Sequence, residues 1–279
     1  MVQQDLSDQD SPNQLSQKQD RLNQNNRKLV IITGASSGFG LACAKQFADN
    51  GWLVLAAARR YEKLAELQKQ LGKENCLIQP LDVTQVDPSQ PDSIDALVNR
   101  IELEQLKVDL LINNAGLALG LSAAHQAELS DWQTMIDTNI SDLIRMTRAI
   151  LPEMVENRSG HIINLGSIAG SYAYPGGNVY GASKAFVEQF SLNLRADLAG
   201  TGVRVTNIEP GLAKTEFSEV RFHGDRQKAA SIYDDIKPLL AEDVAESIFW
   251  CANLPSHVNI NRLEIMPTCQ SFAPLIVSK

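Results

Sequence analysis

The stretch Thr33-Gly34-Ala35-Ser36-Ser37-Gly38-Phe39-Gly40 decides how this chain is read. It follows Leu29–Thr33, a continuous apolar run of the kind that forms a buried parallel strand. It opens residues 38–50, whose apolar side chains recur at helical spacing and stop at Gly51. Glycines there admit positive φ angles and let backbone approach a ligand closely. The helix N-terminus adds free N–H groups and the positive end of a dipole. Together these make a dinucleotide pyrophosphate site; a plain tight turn is the alternative.

Working outward, strands and helices alternate. Strands are expected at Leu53–Ala58, 76–81, Val108–Asn113, 161–165, 203–208 and 262–266, and helices at Tyr61–Leu71, 93–104, 130–156, 178–199 and 241–253. Ser130 is the candidate cap of the long helix, and Pro152 inside it predicts a kink or a break. Residues 212–238 are polar and too long for an idle connection, so they read as an irregular lid. Repeated β–α–β units predict one doubly wound α/β domain of Rossmann type, with a mostly parallel seven-stranded sheet covered by helices on both faces.

Composition narrows the function. The 279 residues carry 25 basic and 33 acidic side chains, a net charge of −8, without a Lys/Arg cluster, so no nucleic-acid partner is expected. No apolar run approaches the roughly 20 residues that span a bilayer, so no membrane partner is expected either. Of residues 1–27, 18 are Gln, Asn, Asp or Ser, too polar to offset the entropy of ordering. They read as a disordered, solvated tail, with a short partner-binding segment as the alternative, leaving the folded domain at 28–279. There is no signal-peptide pattern, so Cys43, Cys76, Cys251 and Cys269 read as reduced buried thiols in a cytoplasmic protein. His125, His161, His223 and His257 lack metal-ligand spacing, so no metal is expected.

The second expected strand ends Ala57-Ala58-Arg59-Arg60. An NAD site would place a carboxylate about 20 residues past the glycines. The first acid here is Glu62, already in the next helix. Two guanidiniums suit a 2′-phosphate instead, which selects NADP(H); two solvated arginines at a helix start are the alternative.

The TGxxxGxG pattern at this strand–helix junction resembles the cofactor signature of the short-chain dehydrogenases/reductases, and the resemblance covers nearly all of residues 28–266. It implies cofactor contacts from Gly34, Ser36, Ser37, Gly38, Phe39 and Gly40, and from Asp82 and Val83 at the adenine. It further implies contacts from Asn114, Ala115 and Gly116 of the Asn113-Asn114-Ala115-Gly116 motif, and from Pro210, Gly211 and Thr215. For Asn113 a structural role is at least as fitting. The resemblance also implies a catalytic set of Asn139, Ser167, Tyr180 and Lys184. Tyr180 and Lys184, four apart on one helix face, would exchange the proton of a carbinol and hold the cofactor ribose. The Lys184 charge is expected to lower the Tyr180 pKa from its ordinary value near 10. Ser167 would hydrogen-bond the reacting oxygen, and Asn139 would hold a water leading from Lys184 to solvent.

Longer stretches, among them Gly176-Gly177-Asn178-Val179-Tyr180-Gly181-Ala182-Ser183-Lys184 and Glu216-Phe217-Ser218-Glu219-Val220-Arg221-Phe222, resemble the NADP-dependent 3-hydroxy acid dehydrogenases. That subgroup oxidises serine, L-allo-threonine and 3-hydroxy acids and reduces malonic semialdehyde. A small acid needs a carboxylate partner, and Arg221 in the lid is the candidate. A surface or subunit-contact arginine is its bland alternative. The family resemblance implies a homotetramer, with the two long helices and the apolar segment 272–277 against neighbouring subunits. The rival functions are a short-chain reductase of another carbonyl and a non-catalytic NADP-binding redox sensor. The second predicts a missing Tyr or Lys, and both are present.

Overall fold

The structure is a computed structural model that describes residues 27–85 and 87–271. The tail expectation for 1–26 and the segment 272–277 lie outside the described residues. Arg27 lies inside them, and its Nη1 donates to Asn75 Oδ1 at 2.8 Å. The first half of the chain runs β1 (Leu29–Thr33), α1 (Gly38–Asp49), β2 (Leu53–Ala58), α2 (Tyr61–Leu71), β3 (Cys76–Pro80), α3 (Ile94–Leu103) and β4 (Val108–Asn113). The second runs α4 (Leu129–Ile136), α5 (Asp142–Glu156), β5 (Gly160–Leu165), α6 (Asn178–Asp197), β6 (Val203–Pro210), α7 (Phe217–Arg221), α8 (Arg226–Ser231), α9 (Ala241–Ala252) and β7 (Arg262–Ile265).

The seven strands form one sheet in the order β3-β2-β1-β4-β5-β6-β7, and every pairing is parallel. Alternating strand residues feed two cores. Val30, Ile32, Val54 and Ala56 pack with α1, α2 and α9 on one face. Leu29, Ile31, Leu53 and Leu55 pack with α3, α5 and α6 on the other. Strand order reverses between β1 and β4, so the carboxyl ends of these two strands open a crevice.

Several local expectations are corrected. The long helix 130–156 is two helices, α4 and α5, joined by a wide π-helical turn at Asp137–Ser141. Ser130 is not its cap; α4 starts at Leu129 after Glu128. Pro152 sits inside α5 without breaking it. The carbonyl it deprives of a partner belongs to Arg148, an exposed residue. The lid 212–238 is not irregular throughout, since it contains α7 and α8, with Asp225 accepting from the Lys228 N–H to cap α8. Cys43, Cys76 and Cys251 are buried as expected, but Cys269 is exposed. Among the described residues no group of His, Cys, Asp and Glu is arranged to hold a metal.

Asp142 follows the π-helical turn and is 2% exposed, with Oδ2 lacking a partner and Oδ1 3.3 Å from Arg145 Nη1. Burial pushes its carboxyl up from 3.8 to about 7. A folded-state value above the unfolded one favours the protonated fold, so this stabilisation is complete below about pH 4 and is lost as pH rises towards 7. Asp142→Asn should therefore raise Tm by several degrees at alkaline pH, from at most about 4 kcal/mol, and change little near pH 4. Paired thermal melts check this. A pH-independent difference would contradict it.

Candidate active site

Gly34 and Gly38 take φ of +67° and +53°, so the loop after β1 uses the backbone freedom its glycines provide. A Cβ on Gly34 would come 2.9 Å from Asn114 Nδ2. The β4 end is stitched to this loop. The Asn114 and Ala115 N–H groups each donate to Thr33 Oγ1 at 3.0 Å, and Asn114 Nδ2 donates to the Thr33 carbonyl at 2.8 Å. Ser37 precedes α1 without a side-chain cap, and the first turn carries no acid. The helix N-terminus is thus open to an anion.

A cleft of about 330 Å³ runs along this loop. It is lined by Gly34, Ser36, Ser37, Gly38 and Phe39, by Arg59 and Arg60, and by Asp82 and Val83. Asn114, Ala115, Gly116, Tyr180, Lys184 and Thr215 complete the expected cofactor set along it. Gly40 does not line it. A Cβ there would fall 2.5 Å from Asn114 Nδ2 and from the Gly34 carbonyl, so this glycine serves close packing. Pro210 and Gly211 line the neighbouring cavity instead. Asn113 is structural, donating to Thr147 Oγ1 at 3.0 Å and Asn164 Oδ1 at 2.9 Å.

At the far end of the cleft, Arg60 donates from Nε to Ser36 Oγ at 3.1 Å and from Nη2 to Ser37 Oγ at 2.6 Å. Its Nη1 lies 2.9 Å from Glu216 Oε2, and Lys63 Nζ lies 2.7 Å from Glu216 Oε1. The Lys63 bond holds the Glu216 carboxyl below its usual range, followed in effect by Arg60. Sequence reasoning missed Glu216 and Lys63, because the contact joins positions more than 150 residues apart. Arg60→Ala should weaken NADPH binding about 10- to 100-fold and leave NADH binding nearly unchanged. Fluorescence titration with both nucleotides checks it, and equal losses would contradict the role of Arg60.

Tyr180 and Lys184 stand on one face of α6, 8% and 6% exposed. Lys184 Nζ donates to the Leu165 carbonyl at 2.7 Å and lies 5.9 Å from the Tyr180 ring centroid. Burial pushes the Lys184 ammonium down to about 8. Burial also pushes the Tyr180 phenol up to about 12, against a Ser167 hydrogen bond and the Arg221 charge, which lower it. This corrects the expected electrostatics. Burial dominates the phenol, and Arg221, whose guanidinium carbon lies 5.2 Å from the ring centroid, works against it.

Asn139 is buried in the π-helical turn and does not line the cleft. Its Oδ1 accepts from the Leu117 N–H at 2.8 Å, and its Nδ2 donates to the Leu117 carbonyl at 2.8 Å and Ser183 Oγ at 3.0 Å. Its side-chain amide thus ties the Leu117 segment to α6.

The second cavity, of about 430 Å³, meets the first at Tyr180. Ser167, Tyr180, Pro210, Gly211 and Arg221 line it, with aromatic walls from Tyr172, Tyr174, Phe217 and Tyr233. Among the described residues no carboxylate lines it. Arg221 Nη2 donates to the Tyr174 hydroxyl, and its Nε is buried without a partner. The lid is held over this cavity by Tyr233, whose hydroxyl lies 2.5 Å from Ser218 Oγ and donates to the Ala213 carbonyl at 2.9 Å.

A glycine cradle, a Tyr–Lys pair on one helix turn and a serine facing the tyrosine together define a short-chain dehydrogenase. The chain belongs to that family, which matches it over residues 28–225. It is 54% identical over 252 residues to the NADP-dependent 3-hydroxy acid dehydrogenase YdfG of Salmonella typhi, covering 90% of this chain and 99% of that protein. It is 48% identical to sulfoacetaldehyde reductase 2 of Chromohalobacter salexigens, covering 90% and 98%. Among solved structures it resembles the closed form of serine dehydrogenase complexed with NADP+, with a TM-score of 0.86 and 53% identity over 90% of this chain and 99% of that one.

Proposed function

We propose that this chain is an NADP-dependent dehydrogenase of small 3-hydroxy acids, taking serine, L-allo-threonine or 3-hydroxypropionate and, in reverse, malonic semialdehyde. The observation that carries the reading is Arg221: among the described residues that line the cavity shared with Ser167 and Tyr180, it is the one cationic side chain and none is a carboxylate. The relatives that share about half of its residues support it.

The residues present fit NADP(H). The uncapped start of α1 and the glycine cradle suit a pyrophosphate, and Arg59, Arg60, Ser36 and Ser37 suit a 2′-phosphate. When bound, NADP(H) would supply or accept the hydride. In reduction, Tyr180 enters protonated, as its raised pKa requires, and gives its proton to the oxygen of the carbonyl being reduced. Ser167 donates a hydrogen bond to that oxygen and stabilises its developing charge. Lys184, held by the Leu165 carbonyl, faces the cleft where the ribose hydroxyls would lie. Arg221 grips the carboxylate through its paired donors and so aims the carbinol carbon at the cofactor.

In oxidation the Tyr180–Lys184 pair must shed a proton before taking one from the alcohol. Oxidative kcat/KM should therefore rise from about pH 6 to 9 while reductive kcat/KM falls, with an inflection that belongs to the pair. Initial-rate pH profiles in both directions check this, and a flat oxidative profile would contradict it.

A sulfonate in place of the carboxylate is the second reading. The free Nε of Arg221 and the likeness to a sulfoacetaldehyde reductase favour it. A panel of 3-hydroxy acids, 2-hydroxyethanesulfonate and uncharged alcohols with NADP+ and NAD+ separates the readings. Activity confined to uncharged alcohols would leave the reductase of another carbonyl. No turnover at all would leave the redox sensor.

A homotetramer and a cytoplasmic setting belong to the same proposal. Exposed apolar side chains Leu129, Ile136 and Ile144 on α4 and α5 and Trp250 on α9 support assembly, and light scattering tests it. Among the described residues no helix is long and apolar enough to cross a membrane.

A further inference from the structure

We propose that Arg262, on β7 and outside both cavities, is a positioning residue that locks three parts of the active site into one geometry. The inference rests on the proposed roles of Ser167, Tyr180 and Lys184.

Each arm of the Arg262 guanidinium ends within four residues of a site residue. Its Nε donates to Glu209 Oε1 at 2.9 Å and its Nη2 to Glu209 Oε2 at 2.7 Å. Glu209 directly precedes Pro210 and Gly211, which line the substrate cavity. Its Nη1 lies 2.8 Å from Glu188 Oε1, one turn beyond Lys184 on α6. Its Nη2 also donates to Ser171 Oγ at 3.0 Å, four residues past Ser167, and Ser171 Oγ in turn donates to Glu188 Oε2 at 3.2 Å.

The corner after β5 cannot adjust freely. Gly170 packs so closely on α6 that a Cβ there would meet the Ala185 nitrogen and the Lys184 carbonyl carbon, each at 2.9 Å. On its other side, Gly166 abuts Asn207, whose Oδ1 would stand 2.6 Å from a Cβ at 166. Asn207 Nδ2 donates to Glu209 Oε1 at 2.6 Å. One chain of contacts therefore runs from Arg262 through Glu209 and Asn207 to the residue beside Ser167. A second runs from Arg262 through Ser171 and Glu188 to the helix that carries Tyr180 and Lys184. Glu209 is fully buried, so its carboxylate must keep this partner and cannot turn to water. A charged cluster used only for stability would need none of these endpoints. Here they bracket the serine, the lysine turn and the Pro210-Gly211 loop that lines the substrate cavity.

The consequence is specific. The anchors for the 2′-phosphate and for the substrate anion, Arg60 and Arg221, lie on other elements. Loosening the cluster should misalign the reacting groups without loosening either ligand. A misplacement on the order of 1 Å costs about 100-fold in rate.

The test uses full-length protein with 3-hydroxypropionate and NADP+, and three variants. Arg262→Gln leaves Glu209 charged and buried, so both stability and kcat should fall. The double variant Arg262→Gln with Glu209→Gln removes both charges. It should regain a near wild-type Tm while kcat stays down about 10- to 100-fold, with KM for the acid and Kd for NADPH within about threefold. Arg262→Lys keeps a charge for Glu209 but loses the fork, and should fold with kcat lowered in the same selective way. Recovery of wild-type kcat together with Tm in the double variant would overturn the proposal, and so would KM or Kd moving as much as kcat. A wild-type protein inactive on every 3-hydroxy acid would instead sink the substrate reading. Wild-type activity with fully active Arg262 variants would sink only the positioning role.

Discussion

Tyr180→Phe should lower kcat about 10²–10⁴-fold in both directions while leaving the Kd for NADPH within about twofold. The phenol oxygen is the only atom removed. The ring keeps its place 5.6 Å from Phe217 and 5.2 Å from the Arg221 guanidinium, so the wall between the two cavities survives. What disappears is a proton held ready. The buried Tyr180 phenol is pushed up to about 12, and Ser167 aims it across the cavity. Lys184 cannot replace it, because its Nζ is engaged with the Leu165 carbonyl on the cofactor side. Rapid-mixing rates together with nucleotide titration separate chemistry from binding. A variant with undiminished turnover would remove Tyr180 from the mechanism.

Arg221→Met should lower kcat/KM for 3-hydroxypropionate about 30- to 1,000-fold, the range for cutting one partner from a buried charge pair. An uncharged alcohol of the same length should lose far less. Methionine preserves the packing against Tyr174 and Phe217, and the Gly120 N–H still finds the backbone carbonyl of residue 221 at 2.8 Å. Arg221 also lowers the Tyr180 pKa, which affects all substrates alike. The ratio between the two substrates therefore isolates the anion contact. Equal losses on both would show that Arg221 acts on Tyr180 alone.

The fold was legible because its signals are local. The strands at the centre of this parallel sheet, β1, β2 and β4, are short apolar runs, and the loops between elements carry glycines and polar residues. The π-helical turn at Asn139 was not legible, because one extra residue per turn barely disturbs a helical period. Nor could the sequence tell that α5 runs on past Pro152, since that depends on how the helix packs. At the site, the family resemblance named Ser167, Tyr180 and Lys184, and the structure brings Ser167 and Lys184 beside Tyr180. The sign of the Tyr180 shift was misjudged, because spacing along α6 gives no measure of burial or of where the Lys184 ammonium is tethered. Glu216 and Arg262 went unseen for another reason. Their partners are distant in sequence and meet only in the folded chain, Arg60 with Glu216 before α7 and Arg262 of β7 with Glu209 of the adjoining β6.

The most direct measurement of the central claim follows one atom. The protein is incubated with NADP+ and 3-hydroxypropionate deuterated at C3, and the NADPH formed is examined by mass spectrometry. One deuterium in each NADPH formed is the predicted result, since the carbinol carbon held between Arg221 and Tyr180 is the hydride donor. NADPH lacking deuterium, or no NADPH at all, would contradict it.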